Sequence, residues 1–146
     1  VDGKAIEPSK TMAYKGMMIS DVPNLALAIG YTNASWTLKA DLVAHYVCRL
    51  LDHMRDKGYD VVTPVVPPEA ESWDPVPLID LESGYVLRSI HLLPKQGPAA
   101  PWRLHQNYPR DVRLMRRGRL EDEGIAFSRV TQAPGGSSRE ADPSFA

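Results

Sequence analysis

The most regular apolar pattern in the chain lies between Ser35 and Gly58. Leu42, Val43, Tyr46, Val47, Leu50, Leu51 and Met54 recur at three- and four-residue intervals, which sets them on one face of a helix. Lys39, Asp41, Arg49, Asp52 and Arg55 fall mainly on the other side. Ser35 suits the N-cap, and Gly58 after Lys57 supplies a C-terminal stop. A different pattern precedes this helix. Leu25-Ala26-Leu27-Ala28-Ile29-Gly30 is apolar throughout and has the length of a strand buried on both faces. Asp21-Val22-Pro23-Asn24 ahead of it is turn chemistry. The expected unit is a buried strand, a tight loop and a long amphipathic helix.

Weaker patterns flank this unit. Val1-Asp2-Gly3-Lys4 reads as a turn, and Tyr14-Lys15-Gly16-Met17-Met18-Ile19 as a short strand interrupted by glycine. Pro64, Pro67, Pro68, Pro75 and Pro77 forbid a helix across residues 61–77 and favour an extended strap, anchored by Trp73, Val76, Leu78 and Ile79. A helix is expected from about Ser83 to Leu93, with Val86, Ile90 and Leu93 on one face and Pro94 ending it. Another starts near Asn107 with Pro109 in its first turn, carries Val112 and Met115 inward and stops at Gly118. Ile125-Ala126-Phe127 adds a short strand, and the glycine- and serine-rich stretch from Arg129 onward reads as a disordered tail. The chain therefore divides into residues 1–58, a strap over 59–80, a helical extension over 81–128 and a tail over 129–146. No internal repeat is visible.

Composition narrows the function classes. The 146 residues are 43% hydrophobic and 24% charged, ordinary values for one globular unit. A net charge of -1 provides no global field toward nucleic acid or an anionic membrane. The longest apolar run is too short to span a bilayer, and no apolar segment of a signal peptide follows Val1. Cys48 is the single cysteine, so neither a disulfide framework nor a cysteine zinc site is expected, and a cytoplasmic setting is. Thirteen prolines and a first residue other than methionine are read as marks of a piece of something longer.

The loop Gly30-Tyr31-Thr32-Asn33-Ala34-Ser35-Trp36-Thr37 is where chemistry is most expected. In open α/β sheets, ligands bind beyond the carboxyl ends of strands. A helix starting there aims unpaired N–H groups and a positive partial charge at the crevice, which favours anions and polarised oxygens. Asn33, Ser35 and Thr37 supply polar contacts and Trp36 a flat apolar surface, although such units are more often plain architecture. No G-x-G-x-x-G and no phosphate-binding G-x-x-x-x-G-K-[ST] is present, so a complete dinucleotide site is absent.

Other candidates have plainer readings. Trp36, near the start of a helix, is more often a core or staple residue than a substrate contact. Cys48, beside Val47 and Leu51, reads as a buried inert thiol. His45 and His53 are eight apart, too far for one-turn metal pairing, and His91 and His105 lack local partners, so no metal is expected. Arg103, Arg110, Arg113, Arg116, Arg117 and Arg119 cluster around the last helix. Asp111 and Glu121-Asp122-Glu123 nearly balance them, which favours a solvated face or a patch meeting acidic groups over nucleic acid. Met12, Met17 and Met18 read as packing.

A long run of residues carries a resemblance. Residues from Tyr14-Lys15-Gly16-Met17-Met18-Ile19-Ser20-Asp21-Val22-Pro23-Asn24-Leu25 through Gly30-Tyr31-Thr32-Asn33-Ala34-Ser35-Trp36-Thr37-Leu38-Lys39 resemble the late segment of flavin-containing Baeyer–Villiger monooxygenases. Their mycobacterial ethionamide-activating subgroup is the most similar. Tyr46-Val47-Cys48-Arg49-Leu50-Leu51, Ser83-Gly84-Tyr85-Val86, Leu93-Pro94-Lys95-Gln96-Gly97, Pro101-Trp102-Arg103 and Gln106-Asn107-Tyr108 continue it.

The resemblance implies an α/β chain, the C-terminal fragment of an FAD- and NAD(P)-binding two-domain fold. It implies FAD and NADPH as cofactors, held mainly by absent parts, and a small-molecule ketone or sulfur substrate with O2. The missing N-terminal portion would be this chain's partner. By the family's layout, Asn33, Ser35, Trp36, Thr37 and Leu38 lie near the flavin ring. The catalytic arginine and the nucleotide fingerprints belong to earlier parts, so the fragment alone is expected to be inactive. An enzyme restricted to sulfur or nitrogen oxygenation, and a non-catalytic interaction module, are the competing readings. Because residues 25–30 need cover on both faces, the chain alone is expected to expose apolar surface and to associate with itself or a partner.

Overall fold

The computed structural model of the chain describes residues 1, 3–79 and 84–130. Its longest element is the helix α1, Trp36–Lys57. Leu42, Val43, Tyr46, Leu50 and Met54 are buried along one face, as their spacing requires. Gly58 adopts the left-handed conformation (φ 68°), and Tyr59 N–H donates to Met54 O at 2.9 Å, closing the helix with a Schellman-type end. A second helix, α2 (Gly84–Ser89), runs into a 3-10 turn at Ile90–Leu92. The expected start at Ser83 lies outside the described residues.

The helix α3, Tyr108–Arg117, crosses α1 and buries Asp111 and Met115 against it. Asn107 caps it: the side-chain Oδ1 accepts from Arg110 N–H at 3.0 Å. Arg49 of α1 closes the other end, donating to Met115 O at 2.6 Å and Gly118 O at 2.9 Å. Asn107→Ala is expected to lower stability by about 1 kcal/mol, the usual worth of a side-chain cap. Urea midpoints of parent and variant check this, and equal midpoints would remove the cap's role.

The strands form three antiparallel pairs among the described residues. The first is a hairpin of β1 (Ala13–Tyr14) and β2 (Met18–Ile19), turned by Lys15 (φ 50°) and Gly16 (φ 67°). Met17 N–H donates to Tyr14 O across that turn at 3.0 Å. The glycine-interrupted strand of the sequence is thus two strands and a turn. The second pair joins β3 (Val61–Pro64) to β6 (Ile125–Ser128), and the third joins β4 (Val76–Pro77) to β5 (Lys95–Gln96). The expected strap is therefore corrected in part. Val61, Val62 and Thr63 retain the N–H groups a ladder needs, and Pro64 comes at the strand's end. Beyond them, Pro68–Ser72 coils into a 3-10 turn.

Two further expectations change. Residues 25–30 belong to no sheet among the described residues, and half-buried positions alternate with exposed ones up to buried Gly30. No described strand lies beside them. Asn24 N–H reaches Val62 O at 2.9 Å and Leu27 N–H reaches Met17 O at 2.6 Å, which fixes one side of the run only. Arg129 is held, its guanidinium donating to Gly58 O at 2.9 Å and Lys57 O at 2.8 Å. Val130 N–H donates to Asp60 at 2.9 Å. The rest of the expected tail lies outside the described residues.

The core joins the hairpin to both long helices through Tyr14, Met17, Met18, Leu42, Val43, Tyr46, Leu50, Met54, Val62, Trp102, Met115 and Ile125. Met17 and Met18 are packing residues, as their apolar setting implied. No helix among the described residues is long and apolar enough to cross a membrane.

Candidate functional site

The loop ahead of α1 is held from one direction. Tyr31 hydroxyl donates to Asp111 Oδ2 at 2.6 Å, Thr32 N–H to Gln106 Oε1 at 3.1 Å, and Asn33 Nδ2 to Gln106 O at 3.0 Å. All three acceptors lie in residues 106–111, at the start of α3. From the first turn of α1, Lys39 Nζ reaches the same Asp111 oxygen at 2.9 Å and Met115 Sδ at 3.4 Å. Lys39 and Asp111 are 1% and 2% exposed, so the ion pair is closed to water. Lys39 shares the register of Leu42, Val43 and Tyr46. Its charge suggests the outer face, and the structure places it inward because α3 brings a carboxylate.

The five residues expected near a cofactor occupy the free side of this loop. Asn33, Ser35, Thr37 and Trp36 are exposed, Trp36 by 55%, and Leu38 is at the border of exposure at 37%. Ser35 does not cap α1 with its side chain; its Oγ lies 2.9 Å from Thr37 Oγ1 instead. The first turn of α1 therefore keeps backbone donors without a side-chain acceptor, in a region of positive helix-end potential. Trp36 folds its indole over Gly30, where any Cβ would overlap the ring. It acts as a lid on the loop's glycine while leaving one ring surface outward.

These groups fit one edge of a flavin site. Amide donors, one amide side chain, two hydroxyls and an apolar ring suit the polar rim and plane of an isoalloxazine. The broad clefts along α3 and beside Asp122 are lined by other residues.

A second buried network lies across α1. Lys15 Nζ contacts Asp122 Oδ2 at 2.9 Å, Tyr46 hydroxyl at 3.0 Å and Arg119 O at 3.4 Å. Tyr14 hydroxyl donates to the same Asp122 oxygen at 2.8 Å. Lys15 also lies over the rings of Tyr14 and Tyr46, 4.6 and 4.7 Å from their centroids.

Burial, and then the nearby Tyr46 and Asp122, push the Tyr14 phenol far above its ordinary range. Burial followed by the Asp111 hydrogen bond does the same to Tyr31. Both phenols bind their protons more tightly in the folded chain than when unfolded. Their contribution is complete below the ordinary tyrosine value of 10.0 and is lost as pH rises above it. Urea midpoints are expected to hold steady up to about pH 10 and then fall, less steeply in Tyr14→Phe. A midpoint unchanged through that range would show that these phenols ionise without penalty. The His105 imidazole is held below its ordinary value, first by burial and then by Arg110. Its Nε2 is closed to water and without a hydrogen-bond partner.

The remaining candidates fall elsewhere. Cys48 is exposed, a correction to the buried thiol: it sits on the helix face opposite Tyr46 and Leu50. Leu51 is likewise outward, at 58% exposure. His53 lies 2.8 Å from Glu121, and His45 lies 3.9 Å from Asp41. Arg116 pairs with Asp41 at 2.8 Å, the single ion pair of the arginine cluster among the described residues. Among those residues no group of three or more His, Cys, Asp or Glu side chains could hold a metal ion.

Comparison with curated proteins decides the kinship. The chain is 54% identical over 129 residues to the FAD-containing monooxygenase EthA of Mycobacterium tuberculosis, a match covering 88% of this chain and 26% of that protein. It is 44% identical over 131 residues to the probable FAD-binding monooxygenase AlmA of Acinetobacter baylyi, and 41% identical over 132 residues to the putative FAD-containing monooxygenase MymA of M. tuberculosis. Each of these two matches covers 90% of this chain and 26% of the relative. The chain is a relative of the FAD-containing monooxygenases. It spans about a quarter of the length of the monooxygenases it matches. No family model and no solved structure matches it.

Proposed function

We propose that this chain is the C-terminal part of an FAD- and NADPH-dependent monooxygenase of the Baeyer–Villiger type, acting in the cytoplasm. The observation that carries this reading is identity of 41–54% to three FAD-containing monooxygenases across nearly the whole chain. The uncapped start of α1, with Asn33, Ser35, Trp36, Thr37 and Leu38 around it, supports a flavin contact. In this reading residues 1–58 complete the FAD domain, with 25–30 as its last strand, residues 59–80 cross it as a strap, and 81–128 form an extension. The half-exposed run 25–30 supports an interface with the remainder of the protein or, in its absence, with a second copy.

When bound, the reduced flavin supplies the electrons that activate O2; one oxygen atom enters a ketone or sulfur compound and the other leaves as water. The chain's own residues serve that chemistry in three ways. Amides of the first turn of α1 stabilise negative charge developing on the flavin's pyrimidine edge. Trp36 and Leu38 exclude water from the ring. Asn33 offers its carbonyl oxygen as an acceptor, because its amide nitrogen is committed to Gln106.

The test begins with the longest natural reading frame that carries this chain. Purified with FAD, it is expected to be yellow, to oxidise NADPH in air and to convert a simple ketone to an ester. Conversion of thioethers alone would replace the Baeyer–Villiger assignment with sulfur oxygenation. A colourless protein inert to NADPH would favour the interaction module. The isolated chain, mixed with FAD and desalted, is expected to stay colourless; retained flavin would overturn its assignment as an inactive part.

A further inference from the structure

We infer that Gln106, with Asp111 behind it, is the positioning device for the flavin-facing loop, so that the C-terminal extension sets the geometry of the cofactor site. The inference rests on the flavin reading of residues 33–38 given above. Gln106 sits in the left-handed region (φ 51°), where a residue with a Cβ is normally disfavoured. Strained backbone of this kind persists where the surroundings determine it, and it concentrates at sites that must be held in one shape. Here the unusual φ lets one residue serve the loop twice, with its side-chain oxygen taking Thr32 N–H and its backbone oxygen taking the Asn33 amide. The next residue, Asn107, caps α3. One turn further, Asp111 takes Tyr31 hydroxyl and Lys39 ammonium on a single oxygen.

The loop is therefore pinned at Tyr31, Thr32 and Asn33 before the helix and at Lys39 within its first turn. Between these pins lie Ser35, Trp36 and Thr37, whose exposed side is free for a ligand. Gln106 and Asp111 do not line that side. They act through the loop and are positioning residues. A site built this way separates two jobs: one surface of the loop is spent on being held, the other on holding.

The experiment uses the full reading frame and three variants. Gln106→Gly removes the side-chain acceptor while accommodating the left-handed φ, so the fold is retained. Tyr31→Phe removes one hydroxyl within a ring of the same shape. Gln106→Glu keeps an acceptor oxygen on a side chain of the same length. Amide hydrogen exchange across residues 31–38, the FAD dissociation constant and the visible flavin spectrum are read for each, with melting temperature as the control on folding.

Gln106→Gly and Tyr31→Phe are expected to raise exchange across the loop and weaken FAD binding by about tenfold, the worth of one lost hydrogen bond of typical strength. The flavin bands are expected to shift, and Gln106→Glu to restore protection at Thr32. A merely structural role would move melting temperature and leave the bands in place. Wild-type exchange, FAD affinity and spectrum in both variants would overturn the positioning role and leave the flavin reading intact. A wild-type protein that binds no flavin would overturn that reading, and the inference with it.

Discussion

Asp111→Ala is expected to destabilise the fold by about 3–5 kcal/mol, the range for removing one partner of a buried ion pair. The carboxylate is the shared acceptor of Lys39 and Tyr31, and all three side chains are buried. Without it the Lys39 ammonium keeps only the Met115 sulfur, a weak acceptor, and the Tyr31 ring, 5.6 Å away at its centroid. Water cannot reach it without parting α1 from α3. The triple replacement Lys39→Met, Asp111→Leu and Tyr31→Phe behaves differently. It removes both charges and the hydroxyl that Asp111 accepts from, and fills similar volume, so a stability within about 1 kcal/mol of the parent, or above it, is expected. Urea denaturation followed by circular dichroism measures all of these. A single variant as stable as the parent would mean that the lysine finds solvent, and that the α1–α3 contact is looser than the geometry implies.

The second large effect is expected at Trp102. Its indole is 3% exposed and stands edge-on to Tyr14, with ring centroids 5.5 Å apart, while Trp73 approaches to 6.4 Å. Gly97 and Gly124 bring backbone against it: a Cβ at either would lie 3.1 or 3.2 Å from Trp102 atoms. Trp102→Ala leaves a cavity that neither glycine can fill, and a loss of about 3–5 kcal/mol is expected. The same denaturation experiment checks it. A loss below about 1 kcal/mol would show that the surrounding loops collapse into the space.

What could be read from the sequence depended on whether local pattern or distant partners decide an element. α1 and α3 follow from spacing, caps and stops, because a helix satisfies its own backbone. Their inward polar positions did not follow. Lys39 and Asp111 occupy core register, yet a charge in that register looks like surface until both are known to meet. Residues 25–30 carry the composition of a doubly buried strand, and composition holds no information about which chain supplies the neighbours. β3 hid behind prolines that fall after its pairing residues. Cys48 was misassigned because adjacent apolar residues mattered less than its angle around the helix. The loop from 30 to 37 was legible as a helix-start site, whereas Gln106 was not. No local signal marks a glutamine whose role depends on a left-handed φ and a loop more than seventy positions away.

That separation has a consequence for how the chain acquires its shape. Lys39 and Asp111 are 72 positions apart, Tyr31 and Asp111 are 80, and Tyr14 and Asp122 are 108. On a ribosome, α1 emerges well before the carboxylates that neutralise its inner lysine and that of the preceding turn. Until they arrive, both ammonium groups stay hydrated, and the apolar stripe beside them cannot be closed. Closure of the core over Lys39 and Lys15 must therefore wait for the second half, and contacts of such separation slow folding. Nascent chains halted between Gly58 and Asn107 would present an open helix face, and they are the form in which this sequence would most need a chaperone.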